Sequence, residues 1–222
     1  MKNGDIALYG HLSYDNIFSK FNLTTSVGCI GNVWLSIKNK DPGLKLLMQP
    51  LAIGESLILV DKQQSKRTSI SSLNLHTCSC VPQSADIHHV MYINELNDIS
   101  FLKDLEGFVT ADVCNGTPLD ISSQYLKYID LMFISDEDLN FNIEKLLSKV
   151  PQVLLHRTGG STLYTRDKTY DFTTQVISGI NVLGLGDKFA AYILVNLINN
   201  KFNVYKSIQP AHNDILNELQ KI

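Results

Sequence analysis

The sequence carries little charge, and its basic residues are scattered. Only 18% of the 222 residues are charged, the formal net charge is −3, and Lys66-Arg67 is the one adjacent pair of basic residues. A chain without a basic patch has little to attract nucleic-acid phosphates or an anionic membrane surface. We therefore expect neither nucleic acid nor a membrane as a partner.

Long apolar runs and paired cysteines are also lacking. The apolar stretch Phe189 to Val195 ends at Asn196, far short of the roughly 20 residues of a membrane span. The first residues, Met1 to Asp5, lack the apolar segment of a secretory signal. The cysteines have no paired spacing of the kind that binds zinc, which favours reduced thiols in a cytoplasmic protein: Cys29, Cys78, Cys80 and Cys114.

Short apolar runs alternate with helical stretches, a pattern typical of an α/β layer protein. Hydrophobic residues make up 44% of the chain, enough for one sizeable core, and we expect a single domain over residues 1–222. Expected strands are Ile6 to Tyr9, Val90 to Ile93, Phe108 to Asp112, Leu131 to Ile134 and Val153 to His156, with hairpins at 57–71 and 162–173. Expected helices include Asn32 to Lys38, a helix after Asp187 and an amphipathic one from Ala211.

The most informative segment is Gly184-Leu185-Gly186-Asp187, which leads into an apolar helix. Glycines let the backbone turn sharply and approach a ligand, and the amides at a helix start attract anions. A carboxylate beside such an anion site suits a reaction in which a hydroxyl is deprotonated next to a phosphate. The same four residues also fit a glycine-marked helix entry with Asp187 as a capping acid, and alone they do not decide.

A second group of candidates lies nearer the N-terminus. Asp15 comes five residues after the first expected strand, and Gly28, Gly31 and Asn32 open the next helix. An aspartate and an asparagine at the ends of strands can grip the hydroxyls of a sugar. The alternative is a turn aspartate and a helix-capping asparagine.

Taken together, these segments resemble the PfkB (ribokinase-like) family of carbohydrate and nucleoside kinases. The family signature D-T-x-G-A-G-D-x-F is similar to Asn181 through Phe189, and the Gly-Gly and Asn signature to Val27 through Val33. Further segments follow in the family's order. Ala7 to Gly10 resembles the opening strand, with Asp15 as the substrate-binding aspartate, and Ser56 to Asp61 with Arg67-Thr68 resembles the lid strands. Ser135 to Asp138 falls on the N-x-x-E element, and Val153 to Ser161 on the strand and turn that contact the nucleotide. The resemblance therefore spans nearly the whole chain.

The resemblance implies a ribokinase-like three-layer sandwich, with a mostly parallel central sheet and a small β lid at about 11–27 and 55–75. It implies Asp187 as general base and Gly184, Leu185 and Gly186 as the anion hole. Asp15, Gly28 and Asn32 would hold a sugar or nucleoside acceptor. Ser135, His156, Thr158, Gly159 and Asn181 would lie at the nucleotide, with Asp138 acting on magnesium through water. ATP and Mg²⁺ are the implied cofactors, and a homodimer through the lid strands is the implied assembly.

The sequence departs from the family pattern in several places. Only Asp41 to Ser56 separates the Asn32 helix from the lid hairpin, which predicts the loss of one βα unit. Asn181 replaces the first signature aspartate, Leu185 replaces a small residue, and Ser135 and Asp138 stand for the N-x-x-E pair. The sequence thus predicts an ATP-dependent kinase of a sugar, nucleoside or small polyol. The alternative is a catalytically weakened relative that binds a sugar or nucleotide as a sensor or partner module.

Overall fold

The computed structural model describes residues 4–19, 22–61, 66–74, 80–114, 117–137, 142–177 and 183–220. The strands are β1 (Asp5–Ser19), β2 (Asn22–Cys29), β3 (Lys45–Asp61), β4 (Lys66–Asn74), β5 (Ile87–Val90), β6 (Phe108–Asp112), β7 (Leu131–Ser135), β8 (Gln152–Arg157), β9 (Gly160–Thr165) and β10 (Thr169–Thr173). The α-helices are α1 (Ile30–Lys40), α2 (Ile143–Leu147), α3 (Leu185–Asn199) and α4 (Val204–Leu219). Short 3₁₀ helices cover Ile93–Glu95, Ser100–Asp104 and Gln124–Tyr128.

One mixed sheet organises the chain. Its order is β10-β9-β8-β7-β6-β5-β1-β3-β4, with β2 paired to β1. The strands from β3 through β1, β5, β6 and β7 to β8 are parallel, and the remaining pairings are antiparallel. The expected mostly parallel central sheet is therefore confirmed. Because parallel strands end at the same edge, the ends of β5, β6, β7 and β8 line up beside the lid.

Two apolar cores lie on opposite faces of the sheet. On one face α1, α3 and α4 pack against residues such as Ile6, Leu8 and Phe133. On the other face the 3₁₀ helices and α2 pack against residues such as Ala7 and Met132. Alternate side chains of each strand thus enter different cores, which is the three-layer arrangement that the sequence predicted.

Strand β1 does not end at Gly10, as the sequence suggested, but continues into the lid. The register with β3 shifts between Gly10 and His11, where a side chain at Gly10 (φ 132°) would lie 2.5 Å from the Met91 carbonyl oxygen. Glycine allows this close passage, and beyond the shift β1 continues beside β3 but no longer beside β5. Asp15 is therefore a buried residue of this strand, which excludes the alternative interpretation of Asp15 as a turn aspartate.

Strand β3 serves both the central sheet and the lid. Its first half pairs with β1 at Asp5 through Gly10, and its second half pairs with β1 at His11 through Phe18. Residues 41–61, all of them described, contain this one strand and no helix. The predicted absence of one βα unit is thus explained by a single long strand.

Helix α3 is apolar on almost every side because α1, α4 and the sheet surround it. Ten of its residues are buried, including Phe189, Ile193 and Leu197. Helix α4 begins earlier than expected and includes Pro210. Among the described helices, none is long and apolar enough to cross a membrane.

Candidate active site

The loop before α3 has the geometry of an anion-binding helix start. Gly184 is the N-cap residue in the left-handed conformation (φ 72°), which favours glycine. Leu185, Gly186 and Asp187 form the first turn, and amides at these positions have no acceptor within the helix. They lie beside the positive end of the helix dipole. The predicted anion-hole residues therefore share one helix N-terminus.

The Asp187 carboxylate is held by the first turn of another helix. Asn32 Nδ2 of α1 donates a 2.8 Å hydrogen bond to Asp187 Oδ2. Asp187 is only 9% exposed, so this contact orients a nearly buried acid. A side chain added at Gly184 would lie 3.4 Å from Asn32 Nδ2, which places the glycine beside the same pair. The starts of α1 and α3 thus meet at Asp187.

Asp15 faces the interior side of the lid and is backed by Gly28. Ser13 Oγ donates a 2.8 Å hydrogen bond to Asp15 Oδ1, and Asp15 is 5% exposed. A side chain at Gly28 would lie 2.2 Å from Ser13 Oγ and 2.4 Å from Asp15 Oδ2. Gly28 therefore makes room for the serine–aspartate pair.

Cys29 occupies a backbone conformation that glycine normally takes. Its φ and ψ are 55° and −123° at the start of α1, in a region that costs energy for a residue with a side chain. Burial, followed by the nearby Asp187, Asp15 and Glu95 carboxylates, raises the pKa of its thiol to about 12. Cys29 is therefore a neutral thiol near both Asp15 and Asp187.

The structure adds residues that the sequence reasoning missed. Tyr92 follows β5 in the left-handed conformation, and Asp187 and burial hold the pKa of its hydroxyl well above the usual value. Asp112 ends β6 and also acts on Tyr92. Glu95 lies on the next 3₁₀ turn, with its Oε2 3.0 Å from Nδ1 of the buried His11. The position of Asp112 at the end of a predicted strand was a usable signal, whereas His11 and Glu95 meet only through the tertiary fold.

His156, near the end of β8, lies beside Gly186 in the first turn of α3. A side chain at Gly186 would lie 3.3 Å from His156 Cε1 and 3.7 Å from Nε2. The Phe189 ring stands edge-on to His156 and stacks on His212. His212 Nε2 in turn lies 2.8 Å from Ser161 Oγ. Burial lowers the pKa of both imidazoles to about 4, so both are neutral at pH 7.

The other predicted nucleotide residues are at neighbouring strand ends. Thr158 and Gly159 form the turn between β8 and β9, and Ser135 ends β7 with its Oγ accepting a 3.3 Å hydrogen bond from the Glu137 amide. Ser135 pairs with His156 across the two strands. Asn181 and Asp138 lie outside the described residues. The described candidates thus form two groups, one under the lid and one at β7 and β8, with Asp187 between them.

Comparison with known proteins identifies the fold. No protein-family model and no curated protein matches the sequence. Ribokinase from Thermotoga maritima matches with a TM-score of 0.69 and 14% identity, over 94% of this chain and 90% of that one. Adenosine kinase from Sinorhizobium meliloti matches at 0.70 and 10%, over 95% and 92%. The chain has the ribokinase-like fold.

A pyrophosphate-dependent kinase in the ribokinase family also shares this fold. It matches with a TM-score of 0.63 and 16% identity, over 93% of this chain and 92% of that one. The three structures are kinases, and the ribokinase-like fold found here agrees with the resemblance predicted from the motifs. In this chain the strand ends and the starts of α1 and α3 converge where an α/β sheet usually binds its ligand.

Proposed function

We propose that the protein is a PfkB-type kinase that transfers a phosphoryl group from ATP to a hydroxyl of a sugar, nucleoside or related small polyol. The observation that carries this proposal is the placement of Asp187. It lies in the first turn of α3, beside amides suited to phosphate, and Asn32 holds its carboxylate. A helix start that only bound anions would gain nothing from a buried carboxylate at this position.

The proposed step moves one proton and one phosphoryl group. Asp187 accepts the proton of the acceptor hydroxyl as its oxygen forms a bond to the γ-phosphorus and the bond to the bridging oxygen of ATP breaks. ADP leaves, and the proton on Asp187 passes to solvent. The amides of Leu185, Gly186 and Asp187 stabilise the charge on the transferred group, with Gly184 permitting the turn.

The remaining predicted residues are assigned to the two substrates. Asp15 and Asn32 hold the acceptor, with Gly28 leaving space for Asp15. On the nucleotide side we assign Ser135, His156, Thr158, Gly159 and Asn181. His156 lies close to Gly186, which supports its assignment to the nucleotide side. A donor phosphate bound at the amides of this turn would lie against the same ring.

Mg²⁺ is compatible with the residues present, provided that the nucleotide supplies most of its ligands. Among the described residues, no three His, Cys, Asp or Glu side chains are placed to hold a metal together. Mg²⁺ is commonly bound by phosphates, waters and one or two carboxylates, so a dedicated cage is not required. The Asp136 carboxylate acts electrostatically on His156 and so lies on the phosphate side. We assign Asp136 and Asp138 to water-mediated contacts with Mg²⁺, which would neutralise phosphate charge.

The test is a panel of sugars, nucleosides and polyols, assayed for ADP release with Mg-ATP and for a shift in melting temperature. We expect at least one acceptor to stimulate ADP release above the rate with ATP alone. Pyrophosphate replaces ATP in a parallel arm. Phosphorylation of an acceptor with pyrophosphate but not with ATP would overturn the assignment of ATP.

A weakened, binding-only relative is the second candidate function. The replacements Asn181, Ser135 and Asp138 favour it because they remove groups that support the nucleotide and magnesium. In that case a ligand would raise the melting temperature without any phosphoryl transfer. Cys29 and Cys80 are in no disulfide. We assign either activity to the reducing cytoplasm.

The outer face of the lid is assigned to a second copy of the chain. It exposes large apolar side chains, all on one side of the paired strands: Tyr14, Phe18, Leu23, Ile53, Leu57, Leu59 and Ile70. Glu55 is the exposed acid on this face, which is otherwise mainly apolar. Such a face fits the same face of a second copy better than it fits a charged partner. Sedimentation should give a dimer that Leu57→Lys dissociates. A monomeric parent protein contradicts this assembly.

A further inference from the structure

The inner face of the lid changes from polar to apolar along its strands. On β1, Ser13 and Asp15 are buried, and Ile17 follows two positions later on the same face. In the parallel pairing with β3, Asp15 lies opposite Ser56 and Ile17 lies opposite Ile58. The part of this face nearer the central sheet is therefore polar, and the part nearer the end of the lid is apolar.

Three buried apolar side chains form a cluster at this end of the lid, which we call the lid cluster: Ile17, Ile58 and Val60. Leu57 and Leu59 alternate with them along β3, face the other side of the lid and are 40% and 52% exposed. The lid cluster belongs to neither core of the central sheet. Its burial therefore depends on contacts outside those cores.

Leu183 supplies such a contact from outside the lid. It is partly buried, and among the described residues it is the one apolar side chain beyond the lid strands that packs on the lid cluster. Leu183 immediately precedes Gly184, the left-handed N-cap residue of α3. The proposed anion-hole amides follow at the next positions. The contact thus joins the lid to the start of the turn that carries these amides.

The turn is anchored at both of its ends. Before Gly184, the side chain of Leu183 packs on the lid cluster. At the other end, Asn32 of α1 donates its 2.8 Å hydrogen bond to Asp187. The anion-hole amides lie between the apolar anchor and the polar one. A misplacement of reacting groups by about 1 Å can lower a rate roughly 100-fold, so loss of either anchor should affect the reaction.

We propose that Leu183 is a positioning residue, whose contact with the lid cluster holds the anion-hole amides in the arrangement that phosphoryl transfer requires. The inference rests on the proposed function for the role of these amides. Leu183 itself touches neither substrate in this assignment, and the acceptor is held by other residues. Removal of the contact should therefore slow the transfer step without weakening acceptor binding.

Kinetics of Leu183 variants separate these two effects. Leu183→Ala should lower kcat about 10- to 100-fold with the best acceptor of the panel. The acceptor dissociation constant, measured by calorimetry without ATP, should change less than about 3-fold. Leu183→Met keeps the side-chain volume and should retain kcat within about 3-fold. Leu35→Ala, at a 43% exposed position of α1, is the control and should change neither quantity. Wild-type kcat in Leu183→Ala overturns the proposal.

A variant on the lid side tests whether the contact itself is responsible. Ile58→Ala should also lower kcat, and the double variant Leu183→Ala/Ile58→Ala should be no slower than the slower single variant. Losses that multiply would show that the two side chains act independently and would overturn the proposal. Val60→Ala takes the place of Ile58→Ala if the melting curve shows that Ile58→Ala does not fold.

An NMR measurement tests the positioning without any substrate. The amide resonances of Gly184 and Gly186 should shift in Ile58→Ala, although the substitution lies in the lid, and should stay at their wild-type positions in Leu35→Ala. Unmoved resonances in Ile58→Ala overturn the proposal, whatever the activity of the protein. Shifted resonances in a protein that phosphorylates no acceptor would support the positioning by Leu183 and contradict the kinase function alone.

Discussion

Asn32 and Asp187 are joined by a 2.8 Å hydrogen bond although 155 positions separate them in the sequence. The bond links the first turns of α1 and α3, so the proposed acceptor residues and the proposed anion-binding loop are joined directly. An amide that donates to a carboxylate fixes its orientation without adding charge. Asn32 is consequently placed to position the proposed base as well as to contact a substrate.

Replacement of the proposed base should abolish transfer while preserving the fold. Asp187→Asn keeps the shape and can retain a contact with Asn32, but its amide cannot accept the hydroxyl proton. We expect kcat to fall at least about 10²–10⁴-fold, measured with the best acceptor from the panel. The melting temperature should change little. Asp167→Asn, in the exposed turn before β10, is the matched control, and unchanged turnover in Asp187→Asn would remove the base assignment.

Substitution of Asn32 separates positioning from acceptor binding. Asn32→Ala removes a hydrogen bond to a charged group, a change worth about 10- to 100-fold. If Asn32 positions Asp187, kcat falls while the acceptor KM moves by less than about 3-fold. A rise in KM with constant kcat would instead assign Asn32 to acceptor binding alone. Asn32→Asp should lower kcat further than Asn32→Ala, because it places a second carboxylate 2.8 Å from Asp187.

Local patterns in the sequence predicted the boundaries of two elements poorly, near residues that usually interrupt regular structure. Gly10 suggested the end of β1, yet it marks the shift at which the strand enters the lid. The amphipathic pattern predicted a helix from Ala211, yet α4 begins at Val204 and contains Pro210. Proline has no amide to pair with the Lys206 carbonyl, and Asn200 Nδ2 supplies a donor at 3.3 Å. Both features depend on neighbours that a local pattern does not contain.

The candidate site could be proposed from the sequence where its residues share one loop. Gly184 through Asp187 are contiguous, and the roles proposed for them follow from the physics of a helix start. His11 lies within β1, whereas Tyr92 and Glu95 follow β5, so their proximity to His11 follows from the pairing of β1 with β5 rather than from spacing. The hydrogen bond from Asn32 to Asp187 likewise needed the tertiary structure.

Gly28 should tolerate no side chain, because the space for a methyl group is taken by the Ser13–Asp15 pair. The added carbon of Gly28→Ala would lie 2.2 Å from Ser13 Oγ and 2.4 Å from Asp15 Oδ2. We expect a loss of about 1–3 kcal/mol of stability from overpacking and a marked rise in the acceptor KM. Gly43→Ala, with its nearest atom 3.3 Å away at Asp41 Oδ1, should change neither. Wild-type KM in a stable Gly28→Ala protein would show that Asp15 does not hold the acceptor.

The last prediction concerns acid stability, which buried imidazoles should limit. Burial lowers the pKa of His88. Burial lowers the pKa of His89 to about 3 and of His156 and His212 to about 4. His89 illustrates the cause. Thr110 Oγ1 donates to the His88 carbonyl oxygen, so it accepts from His89 Nδ1, 2.8 Å away, and leaves Nε2 without a hydrogen-bond partner among the described atoms. A proton on that nitrogen would be buried without an acceptor.

Because these folded-state pKa values lie below the unfolded value of about 6.5, the unfolded chain binds more protons between pH 6.5 and about 4. Stability should therefore fall as the pH drops through this window, by up to about 4 kcal/mol per pH unit for three protons. Urea unfolding at pH 7.0, 6.0 and 5.0 measures the slope. His212→Gln removes one of these groups and should reduce the slope by up to about 1.4 kcal/mol per pH unit. Equal free energies of unfolding at pH 7.0 and 5.0 would contradict the neutral, buried state of these histidines.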